Sequence, residues 1–210
     1  MANVMGDLFA HWYDDLMRPL EKRRFQAIRK KLIGKAAGNV LEIGSGTGIN
    51  FVHYNQADEV TAVEPDAVMR EKSRQRMKEA PVKVTLLDSP AEKLPFADHT
   101  FDTVVTTLVL CTVQDPALVL QELHRVCKPE GRLLLFEHVR HDNRLLSAIQ
   151  TLLTPLWKQL CGGCHLNRDT LTLVQQHGFH IVSTEQFYNR IFVAVEAAAS
   201  VKRQSAQSNP

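Results

Sequence analysis

Three groups of residues have the types and spacing needed for chemistry. The first is Val40-Leu41-Glu42-Ile43-Gly44-Ser45-Gly46-Thr47-Gly48, an apolar run that meets an acid and three spaced glycines. Glycine at these places lets the backbone turn sharply and lets a ligand approach main-chain N–H groups that a Cβ would block. The second is Glu64 in Val60-Thr61-Ala62-Val63-Glu64-Pro65-Asp66, 16 residues beyond Gly48. A carboxylate takes two donors at once, which suits the paired hydroxyls of a ribose. The third is His138 in Phe136-Glu137-His138-Val139. An imidazole there is a candidate base near neutral pH; the alternative is a histidine that hydrogen-bonds and shapes a pocket.

The glycine spacing narrows the ligand. A dinucleotide-binding turn reads G-x-G-x-x-G, whereas here position 49 is Ile and the pattern is G-x-G-x-G. No grip on a pyrophosphate is evident. Thr107-Leu108-Val109-Leu110-Cys111-Thr112-Val113 is apolar. Cys111 reads as a small apolar pocket residue rather than a nucleophile. Cys161-Gly162-Gly163-Cys164-His165 admits a structural loop, a redox pair of thiols, or a metal or haem attachment. A zinc site wants further ligands, and Cys111 and Cys127 lie far off along the chain; no metal is expected.

These groups need a scaffold. Strand candidates are 39–43, 59–64, 82–87, 101–107, 131–138, 180–187 and 191–198, with helices at about 49–55, 66–79, 116–127 and 168–177. Strands separated by helices predict a parallel α/β sheet covered on both faces. The last two strands are joined by a few residues around Asn189, too few for a crossover, so they form an antiparallel hairpin. In such sheets ligands sit beyond the carboxyl ends of the strands. Ahead of the sheet, residues 7–33 repeat apolar side chains at helical spacing, with Pro19 breaking the run into two helices. These are either surface helices or a lid that rests on an anionic membrane. Leu145 to Trp157 is a further apolar helix flanked by Arg144 and Lys158, suited to a membrane interface or to covering an apolar pocket.

Composition excludes several classes. The 210 residues are 44% hydrophobic and 23% charged, with a net charge of +2 that implies no nucleic-acid partner. Basic residues crowd one segment, from Arg18 to Lys35, where Glu21 is the sole acid. No apolar stretch reaches the roughly 18–20 residues that span a bilayer. The N-terminus lacks a basic region followed by an apolar one, so no secretory signal is expected, and the four cysteines read as reduced thiols of a cytoplasmic protein. The tail 199–210 is expected to be disordered.

Several ordered motifs carry a family resemblance. Glu42-Ile43-Gly44-Ser45-Gly46-Thr47-Gly48 resembles the first motif of class I S-adenosylmethionine-dependent methyltransferases, and Glu64 resembles their ribose-binding acid. Ser89 to Asp102, Phe101 to Val105 and Leu123 to His138 resemble later motifs of the ubiquinone/menaquinone-type branch. Leu108 to Val113, Phe136 to Val139 and Cys164 to Leu171 are similar to bacterial phospholipid N-methyltransferases and microsomal thiol methyltransferases. The resemblance implies a seven-stranded, mostly parallel Rossmann-like sheet over 39–198, N-terminal lid helices over 1–38, and an insertion at 139–167 that helps form the acceptor pocket. It implies S-adenosyl-L-methionine as cofactor, with Gly44, Ser45, Gly46 and Gly48 against the methionine part and ribose. Glu42 would lie near the amino group, Glu64 with Pro65 at the ribose, Asp88 and Ala91 at the adenine, and Leu108 on the other side. Pro90 stands where the commoner pattern has Asp, so the adenine amino group needs another partner. Tyr13 would close over the cofactor from the lid. The implied acceptor is a small amphipathic molecule, a thiol or a phospholipid amine, with a quinone-ring carbon as third choice. Peripheral contact with an anionic membrane and a non-catalytic cofactor-binding protein are the other readings. Oligomeric state is not legible.

Overall fold

A computed structural model describes residues 21–199, together with Trp12, Asp14, Asp15, Arg18 and Pro19. Seven strands form one sheet in the order β3-β2-β1-β4-β5-β7-β6. They are β1 (Ala37–Ile43), β2 (Gln56–Val63), β3 (Lys83–Leu87), β4 (Phe101–Thr107), β5 (Cys127–His138), β6 (Phe179–Phe187) and β7 (Phe192–Ala199). Strands β1 to β5 pair in parallel, while β7 runs antiparallel to both β5 and β6. Strands β6 and β7 form the expected hairpin, because the connection at 188–191 is too short to carry the chain back to the far end of the sheet. Chain order reverses between β1 and β4, which leaves a crevice at their carboxyl ends.

Five α-helices accompany the sheet among the described residues: α1 (Gln26–Ile33), α2 (Ala67–Lys78), α3 (Pro116–Val126), α4 (Arg144–Leu160) and α5 (Thr170–Gln176). Helices α2, α3, α4 and α5 each begin at an Asp or Asn whose side chain accepts from first-turn N–H groups. One apolar cluster joins Leu41, Val104, Leu120 and Leu135; the other joins Phe25, Ile33, Phe51 and Phe136. Burial on both faces explains the unbroken apolar run Leu133 to Phe136 in β5 and the adjacent apolar pairs Val40-Leu41 in β1 and Val104-Val105 in β4. No helix among the described residues is long and apolar enough to cross a membrane.

The structure corrects some boundaries. The helix expected over 49–55 is a single 3-10 turn, Phe51–His53. The side chains of Asn50 and Tyr54 both reach back to Glu42, and i→i+3 bonds such as Phe51 N to Gly48 O tighten the segment. Glycine turn and helix N-terminus therefore do not coincide. Strand β5 begins at Cys127, earlier than expected, and Ala199 belongs to β7 rather than to the tail. Residues 200–210 and most of the expected helix over 7–19 lie outside the described residues.

Candidate active site

The glycine turn joins β1 to the 3-10 turn, and its glycines do different work. A Cβ on Gly48 would meet the Phe51 ring at 2.6 Å, so that glycine allows close packing. Gly46 has φ +55°, yet a Cβ there would meet nothing within 4 Å. Its left-handed backbone borders open space, as a ligand cradle requires. Beside it, Ser45 Oγ is buried and has no hydrogen-bond partner among the described residues.

Glu64 faces this turn from the tip of β2. Its carboxylate accepts Gly46 N at 2.8 Å and Asp66 N at 2.9 Å. Burial raises its pKa, opposed by these two backbone donors. Pro65 beside it is exposed. Asp88, at the end of β3, is exposed and takes Arg70 Nη2 at 2.7 Å, while Ala91 is buried in the loop that follows. Leu108, at the tip of β4, is left-handed at φ +59° and donates its N–H to Phe136 O at 2.7 Å. A non-glycine residue held in that conformation stores strain of about 1–3 kcal/mol and commonly marks a functional turn. Glu64, Gly46 and Leu108 thus border the crevice between β1 and β4. The glycine turn, Ser45 and Glu64 fit the cofactor implied by the resemblance, since donors, acceptors and open space converge there.

Glu42 serves the protein's interior. It is buried; Asn50 Nδ2 donates to it at 2.6 Å and the Tyr54 hydroxyl at 2.8 Å. Arg29, 2% exposed, reaches in from α1 to Asn50 Oδ1, Thr107 Oγ1 and Glu21 at 2.9–3.0 Å. This network ties α1 to the tips of β1 and β4. Burial lifts the Glu42 pKa to about 7.

Behind the crevice a second acid was missed by sequence reasoning, although it stands beside His138. Glu137 is fully buried and accepts Val109 N at 2.7 Å, Leu110 N at 2.8 Å and Cys111 N at 3.3 Å. It holds the strained turn after β4 in place. Burial raises its pKa to about 7. Both acids favour protonation in the fold, so stability is full below about pH 4.5 and falls as pH rises through 7. Glu137→Gln keeps an acceptor and removes the charge. It is expected to cancel about 3 kcal/mol of that loss, read as a flatter melting temperature between pH 5 and 7.5; curves parallel to the parent would refute it.

His138 stands at the end of β5 as expected, edge-on to Phe192 at 5.2 Å, with Nδ1 buried and unpartnered among the described residues. Burial lowers its pKa to about 4. At neutral pH the ring is therefore uncharged and holds a proton weakly. Tyr13 lies outside the described residues. Its neighbour Asp14 accepts Thr47 Oγ1 at 2.8 Å and Arg76 Nη2 at 3.0 Å, which sets Asp14 against the glycine turn.

The Cys161–His165 loop closes the β4 side. His165 N donates to Cys111 O at 2.7 Å, and Arg168 donates to Leu110 O and Val113 O. Cys111, remote along the chain, meets Cys164 in space; that hydrogen bond and burial push the Cys111 thiol up, and the same hydrogen bond pulls Cys164 down. Among the described residues no group of three or more His, Cys, Asp or Glu is placed to hold a metal.

A family model described as a methyltransferase domain matches residues 41–135. Thiol S-methyltransferase TMT1B of Mus musculus is 37% identical over 79% of this chain and 70% of that protein. This chain belongs to the methyltransferase family. The Rattus norvegicus TMT1B match covers 70% of this methyltransferase but 62% of the relative's length. Phosphatidylethanolamine N-methyltransferase of Cereibacter sphaeroides is 33% identical over 58% of the methyltransferase and 61% of its own length. Among solved structures, an S-adenosylmethionine dependent methyltransferase from Mesorhizobium loti has TM-score 0.63 at 16% identity, covering 82% of this chain and 96% of that one. The [4+2]-cyclase SpnF has TM-score 0.68 at 16% identity, covering 85% and 80%. The shared fold alone therefore leaves the reaction of this methyltransferase to its site residues.

Proposed function

We propose that the chain transfers a methyl group from S-adenosylmethionine to a small amphipathic acceptor, a thiol or a phospholipid amine. The observation that carries this is the open, left-handed turn at Gly46 facing the Glu64 carboxylate at the switch point of the sheet. The named relatives act on a thiol and on phosphatidylethanolamine, which supports the acceptor classes. The bound cofactor supplies a methyl group already activated on a sulfonium. The chain's own task is then alignment and exclusion of water.

In this reading Glu64 takes the ribose hydroxyls, with Pro65 beside it. Gly44, Ser45, Gly46 and Gly48 lie along the methionine and ribose, with Glu42 bracing them from below. Asp88 and Ala91 flank the adenine, and Leu108 packs on the opposite side. The segment 1–38 closes the site, supported by the Asp14 contacts with Thr47 and Arg76. His138, uncharged at neutral pH, borders the acceptor pocket; its ring accepts a hydrogen bond from the acceptor and orients the nucleophile, and the released proton passes to solvent.

Calorimetry with S-adenosylmethionine, followed by detection of S-adenosylhomocysteine over alkyl thiols, phosphatidylethanolamine vesicles and quinone precursors, tests the proposal. Tight binding with turnover of a thiol or a lipid amine is expected. No binding, or binding without turnover on any arm, overturns it, and turnover confined to the quinone arm moves the acceptor to a ring carbon. His138→Ala is expected to slow turnover about tenfold, the worth of one lost hydrogen bond, with cofactor affinity unchanged. The parent rate should show no step between pH 6 and 7 from this ring, because its pKa is about 4. An unaltered rate in the variant removes His138 from the site.

A further inference from the structure

Helix α4 is turned inside out. Its Gln150 and Thr154 point toward the body of the protein: Gln150 accepts His141 N at 2.8 Å and donates to Val139 O at 3.1 Å, and Thr154 is buried. On the other side, Leu145, Ile149, Leu152, Leu153 and Leu156 recur at three- and four-residue spacing and so share one face. All are exposed, Leu145 at 70%, Leu152 at 80% and Leu156 at 60%. A surface helix of a globular protein normally places its apolar stripe inward. Here polar residues anchor the helix and the apolar stripe meets solvent.

Charge identifies the occupant. Residues 143–168 contain no Asp or Glu, while Arg144 and Lys158 bracket the stripe at its two ends, both exposed. Trp157 stands near one end, 42% exposed. An apolar face rimmed by cations, with an aromatic ring at its border, matches the boundary between acyl chains and anionic headgroups. In the basic segment near the N-terminus, three of the cations are already engaged. Arg29 is buried, Lys31 pairs with Glu185, and Lys35 pairs with Glu196.

We propose that the outward face of α4 is a lipid-docking surface that lays the helix flat in the interface of an anionic bilayer. Its C-terminal end runs directly into the Cys161–Arg168 loop, which is stitched to Cys111, Leu110 and Val113. Docking there sets the β4 side of the crevice against the membrane. The surface does not depend on which acceptor is methylated.

The full chain carrying Trp12→Phe leaves Trp157 as its single tryptophan. With vesicles containing phosphatidylglycerol and brominated acyl chains, Trp157 fluorescence is expected to be quenched, and the protein should float with the vesicles. Pure phosphatidylcholine vesicles should bind it more weakly, and salt should narrow the difference. Leu152→Ser and Leu156→Ser should each weaken vesicle partition about tenfold, with circular dichroism and melting temperature unchanged because both side chains already face solvent. Binding that survives both substitutions overturns the proposal. So does a protein that ignores vesicles, or one that sediments as a dimer dissociated by Leu152→Ser, which would assign the stripe to a second copy.

Discussion

Arg29→Ala is expected to cost about 3–5 kcal/mol of folding stability, the usual penalty for removing one partner of a buried ion pair. Its guanidinium is 2% exposed and supplies the charge facing Glu21, which is 8% exposed. It also donates to Asn50 and Thr107, and Asn50 in turn donates to Glu42. Alanine leaves Glu21 buried without a countercharge and opens a void beside Phe136, whose ring lies 5.7 Å from the guanidinium. The readout is the denaturant midpoint, with the slope of the unfolding transition unchanged. A companion variant, Arg29→Met with Glu21→Leu, removes both charges and should recover most of the loss. A cost under about 1 kcal/mol for Arg29→Ala would mean that Glu21 escapes to water and that the network braces nothing.

Glu64→Ala is expected to weaken S-adenosylmethionine binding about a hundredfold, since a hydrogen bond to a charged acceptor contributes about 1.5–3 kcal/mol and two are lost. The lower end of that range applies. In the free protein the carboxylate already accepts Gly46 N and Asp66 N, so binding exchanges partners rather than creating them. Gly46→Val should weaken binding too, through a different cause. Its side chain would enter open space without meeting the protein, and would occupy the cradle from a strained left-handed backbone. Calorimetry on both variants, each checked for an intact melting transition, is the test. Unchanged affinity in both would place the cofactor elsewhere.

These two predictions differ in how far the sequence anticipates them. Glu64 and Gly46 are legible in the chain because the glycine turn and the strand tip are each local. Backbone that must turn sharply needs glycine, and ligands of such sheets sit beyond the carboxyl ends of the strands, where Glu64 follows β2. The hairpin of β6 and β7 was legible for a similar reason: the connection is too short for a crossover. Arg29 was not legible. It sits among lysines and arginines that read as a solvated basic face, and only packing shows that it points inward. Its partner Thr107 is 78 positions away. Glu137 was passed over for the histidine beside it, because nothing local says that three N–H groups from the turn after β4 converge on it.

The sequence by itself determined the α/β sheet and its reversed last strand. Those features follow from short-range constraints on φ, on strand periodicity and on loop length. The tertiary structure decided the rest: which basic residue is buried, that Cys111 meets Cys164, that His138 is held neutral, and that α4 faces outward. Each depends on burial or on contacts between distant segments, and a side chain's environment is set by the elements that pack around it rather than by its neighbours in the chain.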